Sequence, residues 1–546
     1  MGRGFGRREH LINSTARRLI SGSRMPINPW FVAAAVVIPT LIGAVDTTIV
    51  GVARPYIVGG LSAPITDSVW VMTSYLAANA FILPITGWLS ARFGRRNYFL
   101  WSIAIFTFAS GLCGMAISLP QLIVFRVIQG LGAGGLQPSS QAILLDSLPL
   151  EKQGAAQTMF CTAVLAGPIV GPLLGGWLVV NYSWRWIFYI NAPVGVVGFL
   201  ACYAVLEDPD YLMQARAELS KRPLNFDGIG LGLLALVIAS WEVMLSKGEE
   251  WDWLGDAFWR VQTLLIVFVI ALAGLLYRDL TFACPVVNFR VVRERNFAAS
   301  CVISFGAFAV LYAASVALPL LLLTLFGYDA YAAGLVLWPA GIFAFLVLLV
   351  VGRLLGRGVD ARWLIVPGLL IMAAGSYWMA ILNLYISPWQ AIWPRVVTII
   401  GLSLMFAPLN VAAFLYTPKD LRGAAVGLLA LIRNEGATFG TSMVQTVQER
   451  RDQFHTARVG EFLDPFNPTL SSTLAQLQAY FYQQSGDLVG SQQTALKVIA
   501  DLRKQQAGSL AYFDVFWAAA VVSLGVVFLV IPMKRSIAEK KPQSAR

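Results

Sequence analysis

"AVLAGPIVGPLLGGWL", residues Ala163–Leu178, sets Gly167, Gly171 and Gly175 four residues apart, with Pro168 and Pro172 each directly behind a glycine. Residues spaced by four share one helix face. Small residues on such a face let two helices approach closely inside a bilayer, and prolines kink the rod. A small-residue stripe is common among membrane helices and weak alone; a doubled Gly-Pro within one is much less common.

The rest of the chain supplies the membrane context. Of its 546 residues, 57% are hydrophobic and 13% charged, and the mean hydropathy is +0.68. An ordinary soluble domain has about 25% charged residues, so this chain cannot clothe itself in a polar surface. Apolar runs of roughly 20 residues, the length a bilayer core demands, recur along it. The fold class is all-α and polytopic. Hydropathy places fourteen spans at 30–55, 68–90, 98–117, 120–144, 154–180, 186–206, 227–246, 259–277, 297–324, 331–353, 363–383, 391–415, 423–446 and 513–533.

An even number of spans puts both termini on one side, and the basic residues say which. Arg92, Arg95 and Arg96, Arg216, Lys221 and Arg222, Arg290, Arg293 and Arg295, Arg353, Arg357 and Arg362, and Lys534, Arg535, Lys540 and Lys541 all fall on the side of the amino terminus. The opposite short loops hold only Arg185 and Lys247. The positive-inside rule makes both termini cytoplasmic, and it accounts for the net charge of +11 without nucleic acid. Residues 1–28, with Arg3, Arg7, Arg8, Arg17, Arg18 and Arg24 but no apolar core, read as a cytoplasmic tail, with Met25 an alternative start. The long outer segment 447–512 is polar, with helical periodicity in "LSSTLAQLQAYFYQQ" and "SQQTALKVIADLRKQQ". It reads either as a loop over the outer mouth with two short amphipathic helices or as a docking surface.

Few residues could carry catalysis. Cys113, Cys161, Cys202, Cys284 and Cys301 lie mostly in apolar runs and read as small buried hydrophobes. His10 and His455 are remote from each other, so neither a metal cluster nor a histidine triad can be assembled. The informative polar residues are inside the spans. Asp46 lies mid-span in "LIGAVDTTIVGVARP" (Leu41–Pro55), where a lone ionised side chain costs about 2.5–3.5 kcal/mol. Arg126 lies in "FRVIQGLGAGGLQPSSQ" (Phe125–Gln141), on one face with Gly130, Gly134, Gln137 and Gln141. Arginine keeps its proton, so it can attract an anion or set the charge of a nearby carboxylate but cannot itself carry protons. Glu435 shares a face with Thr438, Ser442 and Gln445, with Arg433 two residues away as the partner for a packing salt bridge. Glu242 falls in the seventh span, away from the rest. The second span ends in the basic turn "GWLSARFGRR", Gly87–Arg96.

Together these stretches resemble the major facilitator superfamily, and more narrowly its fourteen-helix drug:proton antiporters of the EmrB type. "WRWIFYINAPVG" from Trp184, "KGEEWDW" from Lys247, "DPFNP" from Asp464 and "AYFDVFW" from Ala511 extend the resemblance to about residue 533. It implies two six-helix bundles, residues 29–206 and 297–546, with an inserted helix pair within 207–296, working by alternating access about a midplane site. It implies that Asp46 is the first-helix carboxylate, that Arg126 is the fourth-helix arginine, and that Glu435 joins them in proton coupling. It implies an antiporter motif of Gly167, Pro168, Gly171, Pro172, Gly175 and Gly176. Gly87, Arg92, Gly94, Arg95 and Arg96 would form a cytoplasmic gating loop, although Ala91 stands where the superfamily usually has an aspartate. Arg54 replaces an apolar residue of the type, and either snorkels to the interface or attracts an anionic ligand.

The implied activity is proton-driven export of amphipathic or hydrophobic small molecules, with no cofactor and no enzymatic step. Alternatives on the same fold are a dedicated exporter of one endogenous metabolite or siderophore, and a proton-coupled importer. Resemblance to Gram-negative pumps implies the inner membrane, a periplasmic membrane-fusion adaptor of the EmrA/HlyD type and a TolC-like outer-membrane channel. Segment 447–512 is the candidate contact for the adaptor.

Overall fold

The computed structural model describes residues 29–148, 153–208, 213, 227–282, 285, 287–385, 387–418, 421–464 and 466–536. The arginine-rich tail with Met25, the basic residues Arg216, Lys221, Arg222, Lys540 and Lys541, and Cys284 lie outside them.

The first part of the chain forms α1 (Pro29–Gly60), α2 (Val69–Ile82), α3 (Thr86–Phe93), α4 (Arg95–Gly114), α5 (Leu119–Ala133), α6 (Leu136–Ser147), α7 (Gln153–Asn181), α8 (Trp186–Tyr189) and α9 (Asn191–Val205). Two helices follow, α10 (Gly228–Lys247) and α11 (Arg260–Thr281). The remainder forms α12 (Arg295–Leu325), α13 (Ala330–Leu337), α14 (Pro339–Gly356), α15 (Arg362–Ala380), α16 (Pro388–Leu415), α17 (Arg422–Gly460), α18 (Pro468–Ser485) and α19 (Leu488–Val527).

Among the described residues, thirteen helices are long and apolar enough to cross a membrane. The protein is a multi-pass membrane protein. The other expected span, 423–446, falls on α17, which is helical and packed against α12 and α19 but too polar to count with the rest. The second span is a compound of α2 and α3 joined by a short 3-10 turn at Leu83–Ile85, where Pro84 interrupts the ladder. The fourth is likewise broken after Ala133, within its glycine run.

The largest departure from expectation is segment 447–512. It is helical over most of its length rather than an irregular loop. α17 runs unbroken for 39 residues and α19 for 40, so both membrane helices continue outward, with α18 packed on α19 between them. "LSSTLAQLQAYFYQQ" becomes α18, whereas "SQQTALKVIADLRKQQ" is the first half of α19 and not a separate short helix. Polar side chains end a hydropathy signal, but they do not end a helix, whose backbone bonds are satisfied in water or lipid alike.

Packing fixes the arrangement. α1 lies along α7, α12 along α17, and α15 along α16. On its other side α7 meets α13, α14 and α16, so it is the element through which the first and last thirds of the chain touch most. At the basic end, α3 and the turn before it press on α17. α10 docks on α2 and α17 and carries α11 on its outer side, where α11 is largely exposed. Asp227 both caps α10, accepting from Gly230 N at 2.9 Å, and accepts from Arg278 Nε of α11 at 2.9 Å. The four described cysteines, Cys113, Cys161, Cys202 and Cys301, are buried and unbridged.

Candidate functional site

Asp46 is wholly buried in the middle of α1, and three side chains close around its carboxylate. Arg126 Nη1 donates to Oδ2 at 2.7 Å. Gln129 Nε2 and Asn191 Nδ2 donate to Oδ1 at 3.0 and 2.7 Å. Arg126 is held in turn: its Nε donates to Val71 O at 3.1 Å, Nη1 also reaches Gln129 Oε1 at 2.8 Å, and its guanidinium lies 4.0 Å from the Tyr75 ring centroid. Asn191 Nδ2 also donates to Ser110 Oγ at 3.0 Å, and Ser110 donates to Phe188 O at 2.9 Å. Six elements, α1, α2, α4, α5, α8 and α9, thus converge on one carboxylate.

This arrangement settles how the chain tolerates the charge. Asp46 and Arg126 neutralise each other, and amides occupy the second carboxylate oxygen. Removing one partner from such a pair costs about 3–5 kcal/mol, because the other charge stays buried and unpaired. Protonation of Asp46 and its ion pair with Arg126 are mutually exclusive, since a neutral acid offers the guanidinium no charge.

The Gly-Pro helix sits directly behind. Thr48 Oγ1, two residues along from Asp46, donates to Gly167 O of α7 at 2.8 Å. A methyl group at Gly167 would stand 2.3 Å from Ala44 O, at Gly171 2.1 Å from Thr48 Oγ1, and at Gly175 2.8 Å from Ile49 Cγ1. The three glycines are therefore the contact that lets α1 and α7 touch backbone to backbone, as the stripe predicts. Pro168, Pro172 and Gly176 are buried on the same helix. Further glycines receive α7 on its other side: Gly334 meets Leu173 and Gly341 meets Ile169. A cavity of about 370 Å3 opens at this seam, lined by apolar residues including Val170, Leu174, Trp177, Leu335 and Trp338.

At the basic end, Gly94 has φ 89° and lets α3 turn straight into α4, a backbone position that suits glycine. Gly87 packs on the Gly423–Ala424 backbone of α17. Arg95 pairs with Asp146 of α6. The Arg96 amide donates to Asp208 Oδ1 at 2.8 Å, and its guanidinium donates to Tyr203 O at 3.0 Å. The acidic partners missing at Ala91 thus come from elsewhere in the fold. Arg92 lies in the last turn of α3.

Several expectations need correction. Arg433 does not pair with Glu435: its Nη2 donates to Asn410 Oδ1 at 3.2 Å, and its guanidinium lies near the Phe406 and Phe160 rings. Two residues along a helix turn a side chain about 200° away, so the neighbours in sequence face opposite sides. Glu435 is buried without a well-formed hydrogen bond, with Asn434 and Trp241 as polar neighbours. Glu242 is not remote. It is wholly buried where α10 meets α17, accepting from Thr438 Oγ1 at 3.2 Å. Ser442 donates to Leu245 O, and Trp253 Nε1 donates to Thr446 Oγ1 at 3.1 Å, while Gln445 is exposed. Arg54 reaches the turn between α1 and α2, where its Nε and Nη2 donate to Ser68 Oγ at 3.2 and 3.0 Å. On the fourth span, Gln141 turns to Gln157 rather than sharing the Arg126 site.

Sequence reasoning missed Gln129, Asn191, Ser110 and Tyr75. Gln129 was accessible, standing one turn from Arg126 on the same face. Asn191 was not, because it opens α9 after a short turn and reaches Asp46 only through tertiary packing.

Comparison with known proteins agrees with this architecture. The model of the Major Facilitator Superfamily matches residues 36–441. The chain is 33% identical over 502 residues to the multidrug export protein EmrB of Escherichia coli (strain K12), covering 91% of this chain and 94% of that one. It is 32% identical over 485 residues to the fatty acid resistance protein FarB of Neisseria gonorrhoeae, covering 89% and 92%. Among solved structures, the proton:xylose symporter XylE bound to 6-bromo-6-deoxy-D-glucose shares the fold with a TM-score of 0.57 at 13% identity, over 91% of this chain and 96% of that one. An all-helical membrane architecture, a buried carboxylate and these matches lead to one assignment: the chain belongs to the Major Facilitator Superfamily and is a transporter, not an enzyme.

Proposed function

We propose that this protein is a proton-driven exporter of amphipathic small molecules, an antiporter of the EmrB type with fourteen spans. α17 counts as the thirteenth span, and both termini lie in the cytoplasm. Residues 29–206 and 297–546 form the two six-helix bundles, with α10 and α11 inserted between them. The observation that carries the reading is the enclosed Asp46, held by Arg126, Gln129 and Asn191. A group that exchanges its proton for an ion pair is what coupling to a proton gradient requires. When rocking of the bundles shifts α1 against α5 within the first bundle, Arg126 leaves and a proton takes its place; when the shift reverses, the ion pair re-forms and the proton is released to the other side. The glycines of α7 let α1 move against it with little obstruction, and Gly87 seals the cytoplasmic side.

Likeness to a multidrug export protein and a fatty acid resistance protein supports export over import and an apolar, broad cargo. Likeness to proteins of Gram-negative bacteria supports the inner membrane. There the outward helices α17 to α19, with Phe466, Tyr480 and Tyr482 exposed, would meet a periplasmic adaptor leading to an outer-membrane channel. The test is transport in proteoliposomes. An imposed proton gradient should drive uphill dye movement in the wild type and not in Asp46→Asn, and retained uphill movement in that variant would refute the coupling role.

A further inference from the structure

Arg126 has a counterpart in the last third of the chain. α5 begins Leu-Pro-Gln-Leu-Ile-Val-Phe-Arg, and α16 begins Pro-Trp-Gln-Ala-Ile-Trp-Pro-Arg, so each helix carries glutamine, isoleucine and arginine at its third, fifth and eighth positions. The arginines are Arg126 and Arg395. Each reaches a residue 80 positions earlier on a long preceding helix: Arg126 to Asp46 of α1, Arg395 to Ser315 of α12. The two sites are the same construction made twice, with one substitution. Where the first has a carboxylate, the second has a hydroxyl.

That substitution leaves a charge unanswered. Arg395 is 1% exposed. Its Nη2 donates to Ser315 Oγ at 2.6 Å, while Nε and Nη1 have no partner among the described residues. Arg126, equally buried, fills the corresponding nitrogens with Val71 O, Gln129 and Asp46. A guanidinium shut away from water with idle donors and no counterion among the described residues is unfavourable, and a planar fork of N–H groups is the geometry that receives a carboxylate. Tyr312, one turn before Ser315 on α12, has Thr47 of α1 as a polar neighbour.

We infer that Arg395 and Ser315 form a binding site for the anionic group of the transported compound, selecting amphiphiles that carry a carboxylate. The inference rests on the transporter reading above and adds to it the residue that recognises charge. In the second half of the molecule the cargo supplies the carboxylate that Asp46 supplies in the first. The Ser315 hydroxyl donates to Leu311 O at 2.7 Å and accepts from Arg395 Nη2, which leaves Nε and Nη1 for the ligand's carboxylate.

The experiment uses the full-length protein in lipid nanodiscs and proteoliposomes, with naphthoate as the acid, naphthylmethanol as its neutral counterpart and ethidium as a cationic cargo. Ser315→Asp rebuilds the Asp46–Arg126 arrangement and so fills the site from within; Arg395→Gln removes the fork. Charge-assisted hydrogen bonds of this kind make each variant weaken naphthoate binding at least about tenfold. Naphthylmethanol binding and ethidium flux should be unchanged. Asp46→Asn should keep naphthoate binding while losing uphill flux, so a failure of the proton reading is distinguishable from a failure of this one. Unchanged naphthoate affinity in both variants overturns the proposal. So does equal loss of naphthoate and ethidium handling in Ser315→Asp, or an effect of Arg395→Gln confined to the chloride dependence of transport, which would make the site one for an inorganic anion.

Discussion

The Thr438 hydroxyl donates to the Glu242 carboxylate at 3.2 Å, joining α17 to a helix that sequence alone places outside the core. With Ser442 on Leu245 and Thr73 against Ser246 at 2.7 Å, it makes α10 a clamped element rather than a loose insertion. Thr438→Val takes away this donor and should lower stability by about 1–3 kcal/mol. Glu242→Gln keeps an acceptor oxygen and should cost less. Thermal unfolding of the solubilised protein ranks the two, and equal melting of Thr438→Val and wild type would show that the clamp lies elsewhere.

Asp46 and Arg126 should behave as a unit. Each single neutral variant, Asp46→Asn or Arg126→Gln, leaves a buried partner exposed to loss of its counter-charge and should destabilise by about 3–5 kcal/mol. The double variant should recover part of that stability and none of the uphill transport. A double-mutant cycle on melting, run beside a flux assay, separates the two consequences.

The glycines of α7 predict a contrast. Gly171→Ala meets a side chain, the hydroxyl of Thr48, whereas Gly167→Ala meets the Ala44 carbonyl of the backbone. Both should cost about 1–3 kcal/mol through overpacking. Thr48→Ala should rescue Gly171→Ala and leave Gly167→Ala unrepaired. Rescue of both, measured by melting and export, would mean that α1 and α7 separate more easily than their contact implies.

At the basic end the prediction is an asymmetry across one contact. A methyl group at Gly87 stands 2.9 Å from the Gly423 carbonyl carbon, while one at Gly423 finds its nearest neighbour at 3.4 Å. Gly87→Ala should therefore loosen this seal and Gly423→Ala should not. Reactivity of a cysteine introduced at Ser90 toward a bulky thiol reagent should rise only in the first.

Outside the membrane, Arg260 holds the Asp256 carboxyl well below the usual carboxylate range, aided by the Phe258 and Arg260 amides. A folded-state value below the unfolded one stabilises above the ordinary aspartate pKa, and the contribution is lost as pH falls toward the depressed value. Acidification should lower the melting temperature, and Asp256→Asn should flatten that part of the pH profile. An identical acid slope in the variant would remove Asp256 from the account.

Much of the fold was legible because a bilayer leaves few choices: apolar length, basic turns and the Gly-Pro stripe identify helices and one tight contact. What escaped was pairing across distance. Asp46 and Arg126 were each visible as charges in apolar helices, yet Asn191 and the acidic partners Asp146 and Asp208 are brought in by packing. Proximity along the chain misled at Arg433 and Glu435, which a helix turns to opposite sides. Hydropathy misjudged α17 and α19 because it measures the solvent a residue prefers, not whether the backbone stays helical.

α17 has a mechanical consequence of its own. At 1.5 Å per residue it is a rod about 58 Å long, fixed near its start by Gly87 and Gly427 against the turn that follows α2. A rod magnifies angle into distance, so a tilt of about 10° about its inner end carries the far end about 10 Å, together with the α12 and α19 packed along it. Without a hinge between the buried half and the polar half, the lever has no slack. Any step that rotates the inner end is broadcast, at full amplitude, to whatever touches the outer one.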